Sequence, residues 1–365
     1  MTTELSNFAA RLRGLISHSP FAVTDFERLA LELFALQFGT NAPYRRFCEA
    51  RAVTPLTVTC WPQIPAMPAA AFKEFDLTCL TDAARSYVFH SSGTTDQRPS
   101  RHYHCAESLA VYEAALLSWF QAHRCGPARL LLLTPPPAQA PNSSLVHMFD
   151  VIRKFDGAPE SAFVGRTNRE GAWELDFEVA LTALHEAGGL NHPVFLLGTA
   201  FSFVHLLDEM AQRNLSLTLP ANSAVMETGG YKGRSRSLPK SELHALIGER
   251  LGVPDARILC EYGMSELSSQ AYDRALSQPA SGSPTSPSAR QFAFPPWARV
   301  QVMSPETGRE VGEGETGILR IFDLANVFSV LAVQTEDLAI RHGERFELIG
   351  RAQLAEARGC SLMVA

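Results

Sequence analysis

The chain contains Ser91-Ser92-Gly93-Thr94-Thr95, which places four hydroxyl side chains and one glycine in five consecutive residues. An apolar and aromatic run, Tyr87-Val88-Phe89, precedes it and predicts a short strand that enters a tight loop. Hydroxyl groups and free backbone N–H groups in such a loop are suited to a polyphosphate. No G-x-x-x-x-G-K-[ST] pattern occurs, so this is not a Walker loop. Taken alone, a Ser/Thr-rich turn without a ligand would be the simpler interpretation.

Three further segments follow in a fixed order along the chain. They are Thr228-Gly229-Gly230-Tyr231, Tyr262-Gly263-Met264-Ser265-Glu266, and Thr335-Glu336-Asp337 followed by Gly350-Arg351. Together with the hydroxyl-rich loop, this order resembles the adenylate-forming superfamily of acyl- and aryl-CoA ligases, luciferases and peptide-synthetase adenylation domains. Each motif is weakly specific by itself, whereas four in the same order are a strong signal.

The resemblance implies a role for each motif. Ser91, Ser92, Gly93, Thr94 and Thr95 would hold the phosphates of ATP, and Gly229, Gly230 and Tyr231 would frame the adenine. Tyr262 and Gly263 would also bind the nucleotide. Ser265 would contact the α-phosphate, and Glu266 would hold Mg²⁺, a hard cation that prefers carboxylate and phosphate oxygens. Asp337 would accept hydrogen bonds from the ribose hydroxyls, and Arg351 would bridge ribose and phosphate.

Further residues narrow the resemblance to the LuxE-type acyl-protein synthetases, from about residue 60 to the end of the chain. These are Ile64-Pro65-Ala66-Met67-Pro68 with Phe72-Lys73, Lys232-Gly233-Arg234, Leu267 with Gln270, and Arg358-Gly359-Cys360-Ser361-Leu362. Enzymes of this type activate a fatty acid as its adenylate and carry the acyl group on a cysteine near the C-terminus. The resemblance thus implies Cys360 as acyl carrier, ATP and Mg²⁺ as cofactors, and an acyl-CoA or acyl-protein reductase as partner.

Two alternatives stay open. CoA ligases of the superfamily carry a lid domain after the arginine motif, but this sequence reaches only residue 365 after Arg351, so we expect no lid domain. The chain could therefore be a truncated acyl- or aryl-CoA ligase of the phenylacetate-CoA ligase type, or a nucleotide-binding homologue without catalysis. A serine esterase is disfavoured, because Leu267 stands where the nucleophile elbow has its second glycine.

The sequence departs from the superfamily pattern at two positions. Asp96 stands where a glycine usually follows the second threonine, and Glu336 stands where a glycine usually precedes the ribose-binding aspartate. An aspartate beside a polyphosphate costs electrostatic free energy unless a cation compensates it. Asp96 is therefore either a burden on ATP binding or a recruited ligand of a metal ion or water.

Composition excludes several functional classes. The chain is 46% hydrophobic and 19% charged, with a net charge of −6, which is typical of a soluble globular protein and gives no electrostatic reason to expect nucleic acid. The sequence contains neither a membrane-spanning apolar run nor a signal peptide at Met1, so we predict a cytoplasmic protein without membrane partners. Seven cysteines without a C-x-x-C pair indicate free thiols, and the run 102–105 is a poor zinc site without further ligands.

Apolar strands and helices alternate along the middle of the chain. Strands are predicted at 130–133, 194–197, 223–226 and 257–260, with helices at 24–38, 107–123, 202–212 and 240–251. This alternation predicts an α/β fold of mostly parallel sheets covered by helices. Strands at 300–303, 317–322 and 346–349 predict a small C-terminal β-barrel-like portion. We divide the chain into a helical segment 1–60, an adenylation core 61–275, a flexible loop 276–296 and a β-rich portion 297–365 with the acyl-carrying tail.

The pocket for the acyl chain is the least readable feature. Trp173, Phe195, Phe201 and Phe203 are candidate lining residues, although aromatic residues at such positions more often belong to the core.

Overall fold

The computed structural model describes residues 3–17, 23–91, 98–124, 126, 128–156, 159–229, 238–276 and 290–351. Its helices are α1 Thr3–Ser17, α2 Val23–Thr40, α3 Ala42–Glu49, α4 Ala71–Glu74, α5 Ala106–His123, α6 Ser144–Asp156, α7 Phe177–Leu190, α8 Ala200–Gln212 and α9 Lys240–Leu251. Its strands are β1 Met67–Pro68, β2 Tyr87–His90, β3 Arg101–His104, β4 Arg129–Leu132, β5 Ala162–Phe163, β6 Gly165–Thr167, β7 Trp173–Leu175, β8 Val194–Thr199, β9 Ala224–Thr228, β10 Ile258–Tyr262, β11 Ala271–Tyr272, β12 Gln291–Phe292, β13 Ala298–Met303, β14 Thr316–Asp323, β15 Ala332–His342 and β16 Arg345–Arg351.

A six-stranded sheet in the order β11-β10-β9-β8-β4-β5 forms the centre of the α/β fold. The pairs from β10 to β5 are parallel, and only β11 runs antiparallel to its neighbour. One face packs against α7, α8 and α9, and the other face packs against α5 and α6. Burial on both faces explains why these strands are nearly continuous apolar runs, and the predicted alternation of strands and helices is confirmed.

Helix boundaries follow local capping signals. Asp176 accepts a hydrogen bond from the backbone N–H of Val179 and begins α7, which ends before Asn191 in the left-handed conformation. Thr199 accepts from the backbone N–H of Ser202 and begins α8. The helices α6 and α7 were not predicted from the sequence, whereas the helix predicted over 24–38 is confirmed as α2.

The second sheet is mainly antiparallel, in the order β12-β16-β15-β14-β13, with β1 added parallel to β15. The strands predicted at 300–303, 317–322 and 346–349 lie in β13, β14 and β16. The pairing of these described strands follows one open path, so the predicted barrel is not confirmed, and the expectation of no lid domain also stays a prediction.

The N-terminal helices α1–α3 share one hydrophobic core with this antiparallel sheet. The buried side chain of Gln37 in α2 donates to the carbonyl of Asn326 at 2.8 Å and accepts from the N–H of Leu331 at 2.8 Å. Both contacts lie in the buried connection 324–331 between β14 and β15. Helix α2 therefore fixes a segment that reaches the candidate site.

Part of the predicted flexible loop is ordered. Residues 291 and 292 form β12, because the ring of Phe292 stacks on Phe346 at 5.7 Å and the strand pairs with β16. Residues 277–289 lie outside the described part of the chain, and the remaining segment boundaries stay predictions. Within the described ranges, none of the helices is both long enough and apolar enough to span a membrane.

Candidate active site

The carboxyl ends of β9 and β10 lie side by side, with Thr228 directly opposite Glu261 in the parallel register. Ligands of open α/β sheets bind at this edge. Gly229 follows β9 with a φ of +68°, a left-handed conformation that favours glycine. Gly263 follows β10, and a Cβ there would lie 2.4 Å from Oε1 of Glu261, so the backbone can approach only without a side chain.

Glu266 lies in a buried position on the turn after β10, with 6% of its surface exposed. The hydroxyl of Ser100 donates to its Oε1 at 2.5 Å, and the hydroxyl of Ser265 donates to its Oε2 at 3.0 Å. Asn326 donates to its backbone carbonyl at 3.0 Å and ties the turn to the connection that α2 holds. Among the described residues, the carboxylate is thus fixed by hydroxyl groups rather than by a basic side chain.

Burial raises the pKa of Glu266 above the ordinary value for a glutamate. The hydrogen bonds from Ser100 and Ser265 and the charge of Arg351 act in the opposite direction, because they stabilise the ionised form. Since neutral hydroxyls orient the carboxylate without cancelling its charge, the group suits a hard cation such as Mg²⁺.

Tyr262, Asp337 and Arg351 form a second group beside Glu266. The hydroxyl of Tyr262 donates to Oδ2 of Asp337 at 2.7 Å, and Nε of Arg351 lies 3.6 Å from Oδ1 of the same carboxylate. Asp337 and Arg351 are direct partners across β15 and β16, which explains their proximity. Asp337 lies in the middle of the long strand β15.

Burial raises the pKa of Asp337, whereas the hydrogen bond from Tyr262 and the charge of Arg351 lower it. Burial also raises the pKa of Tyr262 well above its ordinary value, so its hydroxyl stays a donor. The ring of Tyr262 contacts Phe292, Phe294 and Phe346 at centroid distances of 6.2, 6.2 and 5.5 Å. This aromatic packing fixes the ring, and with it the hydroxyl that orients Asp337.

The hydroxyl-rich loop is only partly described. Ser91 accepts a hydrogen bond from the backbone N–H of Ser100 at 3.0 Å through its hydroxyl, since β2 and β3 form a hairpin that brings the two residues together. Ser92, Gly93, Thr94, Thr95 and Asp96 lie outside the described residues, as do Gly230, Tyr231 and Cys360. Their roles stay predictions.

Two site contacts come from residues that sequence reasoning missed, Ser100 and His102. Nδ1 of His102 donates to the backbone carbonyl of Ser265 at 2.9 Å, and burial lowers the pKa of this histidine to about 4. The imidazole is therefore neutral and positions the turn that carries Ser265 and Glu266. A signal was present, because a strand-loop-strand hairpin would have placed the residues after the loop beside those before it.

A third buried carboxyl, Glu261, was also missed, since it precedes Tyr262 in an otherwise apolar strand. The hydroxyl of Thr228 donates to its Oε2. Burial raises the pKa of Glu261 from 4.5 to about 7, and the Thr228 hydroxyl lowers it.

Glu227 is another buried carboxyl at this edge and lies on the face of β9 opposite to that of Thr228. Nζ of Lys240 lies 3.4 Å and Nε2 of His244 lies 3.6 Å from its Oε2, and the thiol of Cys260 donates to the same oxygen at 3.3 Å. Carboxylate, imidazole and thiol are ligand types of zinc, but Lys240 already neutralises the carboxylate. This network connects the end of β9 to α9.

The four candidate aromatic residues for the acyl chain separate into two groups. Phe195 and Phe203 are buried core residues, whereas Trp173 and Phe201 line a cavity of 230 Å³ together with His205 and Arg166. The cavity lies against α7 and α8, the face of the parallel sheet away from Glu261. It is therefore separate from the polar residues beside the nucleotide motifs.

Comparison with known proteins shows the family. The sequence model described as acyl-protein synthetase, LuxE, matches residues 23–365. The chain belongs to the LuxE family of acyl-protein synthetases. A long-chain-fatty-acid–luciferin-component ligase from Aliivibrio fischeri is 22% identical over 93% of this chain and 87% of that protein. The corresponding ligase from Vibrio harveyi is 22% identical over 92% of this chain and 86% of that protein. This LuxE protein is thus an acid–thiol ligase.

Solved structures show the same fold class. An open conformation of 2-hydroxyisobutyryl-CoA ligase superposes with a TM-score of 0.62 at 13% identity, over 87% of this chain and 74% of that chain. ATP-bound MatB from Rhodopseudomonas palustris superposes with a TM-score of 0.50 at 17% identity, over 73% of this chain and 48% of that chain. The LuxE protein therefore spans about half the length of MatB, and its α/β fold resembles that of adenylate-forming enzymes.

Proposed function

We propose that this LuxE protein activates a carboxylic acid with ATP as an acyl-adenylate and then transfers the acyl group to Cys360. A fatty acid is the substrate class in the names of the two related ligases. The observation that carries the proposal is the buried Glu266 carboxylate, which the hydroxyls of Ser100 and Ser265 hold. The group of Tyr262, Asp337 and Arg351 lies beside it. Such a pair of oriented carboxylates fits a magnesium-bound nucleotide.

In the first step, a carboxylate oxygen of the acid attacks the α-phosphorus of ATP, and the bond to pyrophosphate breaks. Since a carboxylate is a weak nucleophile, alignment and charge stabilisation must supply the rate enhancement. Glu266 would hold Mg²⁺, which supplies charge neutralisation on the phosphates when bound. Ser265 would donate to the α-phosphate, and Ser91, Ser92, Gly93, Thr94 and Thr95 would bind the outer phosphates.

The adenosine part of ATP would lie between the motifs of the parallel sheet and those of the antiparallel sheet. Gly229, Gly230 and Tyr231 would contact the adenine, with Tyr262 and Gly263 beside it. Asp337 would accept from the ribose hydroxyls, and Arg351 would bridge ribose and phosphate. Two contacts support this fit. Tyr262 orients the Asp337 carboxylate, and Arg351 lies beside it with a largely exposed side chain that a phosphate can reach.

In the second step, the thiolate of Cys360 attacks the acyl carbon and AMP leaves with the electron pair of the broken acyl–phosphate bond. The thioester would then be delivered to an acyl-CoA or acyl-protein reductase. Arg358 next to the cysteine would favour the thiolate. The alternatives remain a CoA ligase of the phenylacetate-CoA ligase type and a nucleotide-binding homologue without catalysis.

Pyrophosphate exchange and intact-mass measurement test both steps. The protein is incubated with ATP, Mg²⁺ and a panel of carboxylic acids, and exchange of labelled pyrophosphate into ATP is followed. We expect acid-dependent exchange and a hydroxylamine-sensitive mass increase that Cys360→Ser abolishes while exchange persists, because a hydroxyl is a far weaker nucleophile than a thiolate. Cys60→Ser is the matched control and should keep the acylated species.

The outcomes separate the alternatives. Acylation of free coenzyme A by Cys360→Ser at a rate comparable to the wild-type rate would identify a CoA ligase. ATP binding without exchange for any acid would identify a non-catalytic homologue. A label on another cysteine would refute the role of Cys360 and leave the adenylation step intact.

A further inference from the structure

A row of three polar residues crosses the carboxyl edge of the parallel sheet. Glu261 in β10 lies directly opposite Thr228 in β9 and directly opposite Tyr272 in β11. Directly opposite residues project from the same face of a sheet, with Cβ atoms about 5 Å apart. This face is the one that α5 and α6 cover, where Tyr112 and Tyr272 belong to the same hydrophobic cluster.

Three further residues join Glu261 and Tyr272 in a polar cluster, which we define as His104, Tyr112, Glu261, Gln270 and Tyr272. The ring centroid of His104 lies 6.2 Å from that of Tyr112. Nε2 of Gln270 lies 3.5 Å from the hydroxyl of Tyr112, and its Cγ would lie 3.6 Å from a Cβ on Gly263. Burial and then the charge of Glu261 raise the pKa of both Tyr112 and Tyr272, which places both hydroxyls within electrostatic reach of that carboxyl. All five residues are at least nine-tenths buried.

Two atoms of the cluster have no hydrogen-bond partner among the residues that the structure describes. The hydroxyl of Tyr272 and Nε2 of His104 are both buried and unpaired, although each residue is only 1% exposed. The remaining hydrogen bond of the Tyr112 hydroxyl, to the carbonyl of Ser144, is long at 3.4 Å. Buried polar atoms are normally paired, so unpaired and weakly paired atoms in one place indicate a site for a polar group.

The cluster adjoins the proposed reaction centre. His102, which donates to the backbone of Ser265, has its ring centroid 4.2 Å from that of His104. Glu261 and Gly263 belong to the same strand end and turn as Ser265 and Glu266. An acid whose carboxylate meets the nucleotide beside Ser265 would therefore extend along this polar face.

We propose that the polar cluster around Glu261 recognises a hydrogen-bond donor near the carboxyl end of the acid, so that the substrate is a hydroxy- or amino-substituted acid rather than an unsubstituted one. This inference rests on the proposed adenylation. A substituted acid satisfies the Glu261 carboxyl and the unpaired Tyr272 and His104 atoms. An unsubstituted acid gives these buried atoms no hydrogen-bond partner. A polar site rejects an analogue that lacks the donor group for this reason.

The test compares matched acids in pyrophosphate exchange. Octanoate is compared with 2-hydroxy-, 3-hydroxy- and 3-aminooctanoate, and benzoate with 3-hydroxybenzoate. We expect kcat/KM to be about 10- to 100-fold higher for at least one substituted acid than for its unsubstituted partner. A terminal hydroxyl, as in 8-hydroxyoctanoate, should give no such preference, because it lies far from the carboxyl group.

Two variants assign the preference to the cluster. Tyr272→Phe and Glu261→Gln should each reduce the ratio of kcat/KM between substituted and unsubstituted acid at least threefold. Tyr44→Phe, which removes an equally buried hydroxyl bonded to the carbonyl of Pro65, is the control and should leave the ratio unchanged.

The possible results test the substrate preference and the proposed adenylation separately. Equal activity with substituted and unsubstituted acids would overturn this inference and leave the proposed adenylation in place. A preference that survives both variants would also overturn it, because other residues would then select the acid. Absence of exchange with every acid, despite ATP binding, would refute the proposed function itself.

Discussion

The two carboxylates of the nucleotide motifs, Glu266 and Asp337, differ in what compensates their burial. Glu266 is 6% exposed and its two oxygens accept from the hydroxyls of Ser100 and Ser265. Asp337 has 18% of its side chain exposed and combines a hydroxyl from Tyr262 with the guanidinium of Arg351. Burial raises the pKa of both groups and the charge of Arg351 lowers both, but of the two only Asp337 forms an ion pair within the described part of the chain, with Arg351 at 3.6 Å.

This difference indicates a division of labour. Hydroxyl groups orient a carboxylate without neutralising it, so Glu266 retains its charge for an additional cation. The charge of Asp337 is already offset by Arg351, so this residue is better suited to neutral donors such as ribose hydroxyls. Four variants test this comparison, from the largest expected effect to the smallest.

Glu266→Gln should have the largest effect. The amide keeps the shape of the side chain but loses the charge that would hold Mg²⁺, so we expect pyrophosphate exchange to fall by about 100- to 1000-fold. Glu306→Gln, on an exposed turn, is the matched control. Exchange at the wild-type rate in Glu266→Gln would show that another group holds the cation.

Asp337→Asn should act on nucleotide binding instead. We expect KM for ATP to rise about tenfold with a smaller change in kcat, since a hydrogen bond to a charged group is worth about 1.5–3 kcal/mol. The wild type should also prefer ATP over 2′-deoxy-ATP and 3′-deoxy-ATP, and the variant should lose most of that preference. An unchanged preference would exclude the ribose role of Asp337.

Ser100→Ala tests whether the hydroxyls prepare Glu266 for a cation. Removing one donor should raise the Mg²⁺ concentration for half-maximal exchange by about three- to tenfold, with kcat restored at saturating Mg²⁺. The KM for ATP measured at saturating Mg²⁺ should not change. A loss of kcat that excess Mg²⁺ cannot restore would instead indicate that Ser100 acts on the substrate.

The sequence predicted the motif-bearing parts of this site because they are local. Tyr262, Gly263 and Glu266 belong to one strand and the turn after it. Gly229 adopts a left-handed conformation, which a glycine at this position indicates. The order of the motifs also predicted the family, although the named ligases are only 22% identical to this chain.

The missed contacts are those that depend on tertiary packing. Ser100 reaches Glu266 across 166 positions, and Gln37 and Asn326 support the site from an N-terminal helix and a distant loop. Periodicity cannot show such pairings, because each is set by how β2 and β3, α2 and the second sheet pack together. Strand β15 was missed for a related reason: Thr335-Glu336-Asp337 has no apolar run, although β15 pairs on both edges.

Glu261→Gln should have the smallest effect on pyrophosphate exchange, but it should change how the stability of the protein depends on pH. Its pKa is about 7 in the folded protein and 4.5 when unperturbed, so between these values the folded state binds a proton that the unfolded state has released. Stability must therefore fall as pH rises from 4.5 to about 7 and lose nothing further above 7.

The variant Glu261→Gln cannot ionise and keeps the hydrogen-bonding shape. We expect its midpoint of thermal unfolding to approach the wild-type value near pH 5 and to exceed it by a few degrees at pH 8. Calorimetry of both proteins, with Glu306→Gln as control, measures this difference. A midpoint difference that does not grow with pH would show that Glu261 ionises as easily in the folded chain as in the unfolded one. Its burial would then be compensated like that of Asp337 rather than left incomplete.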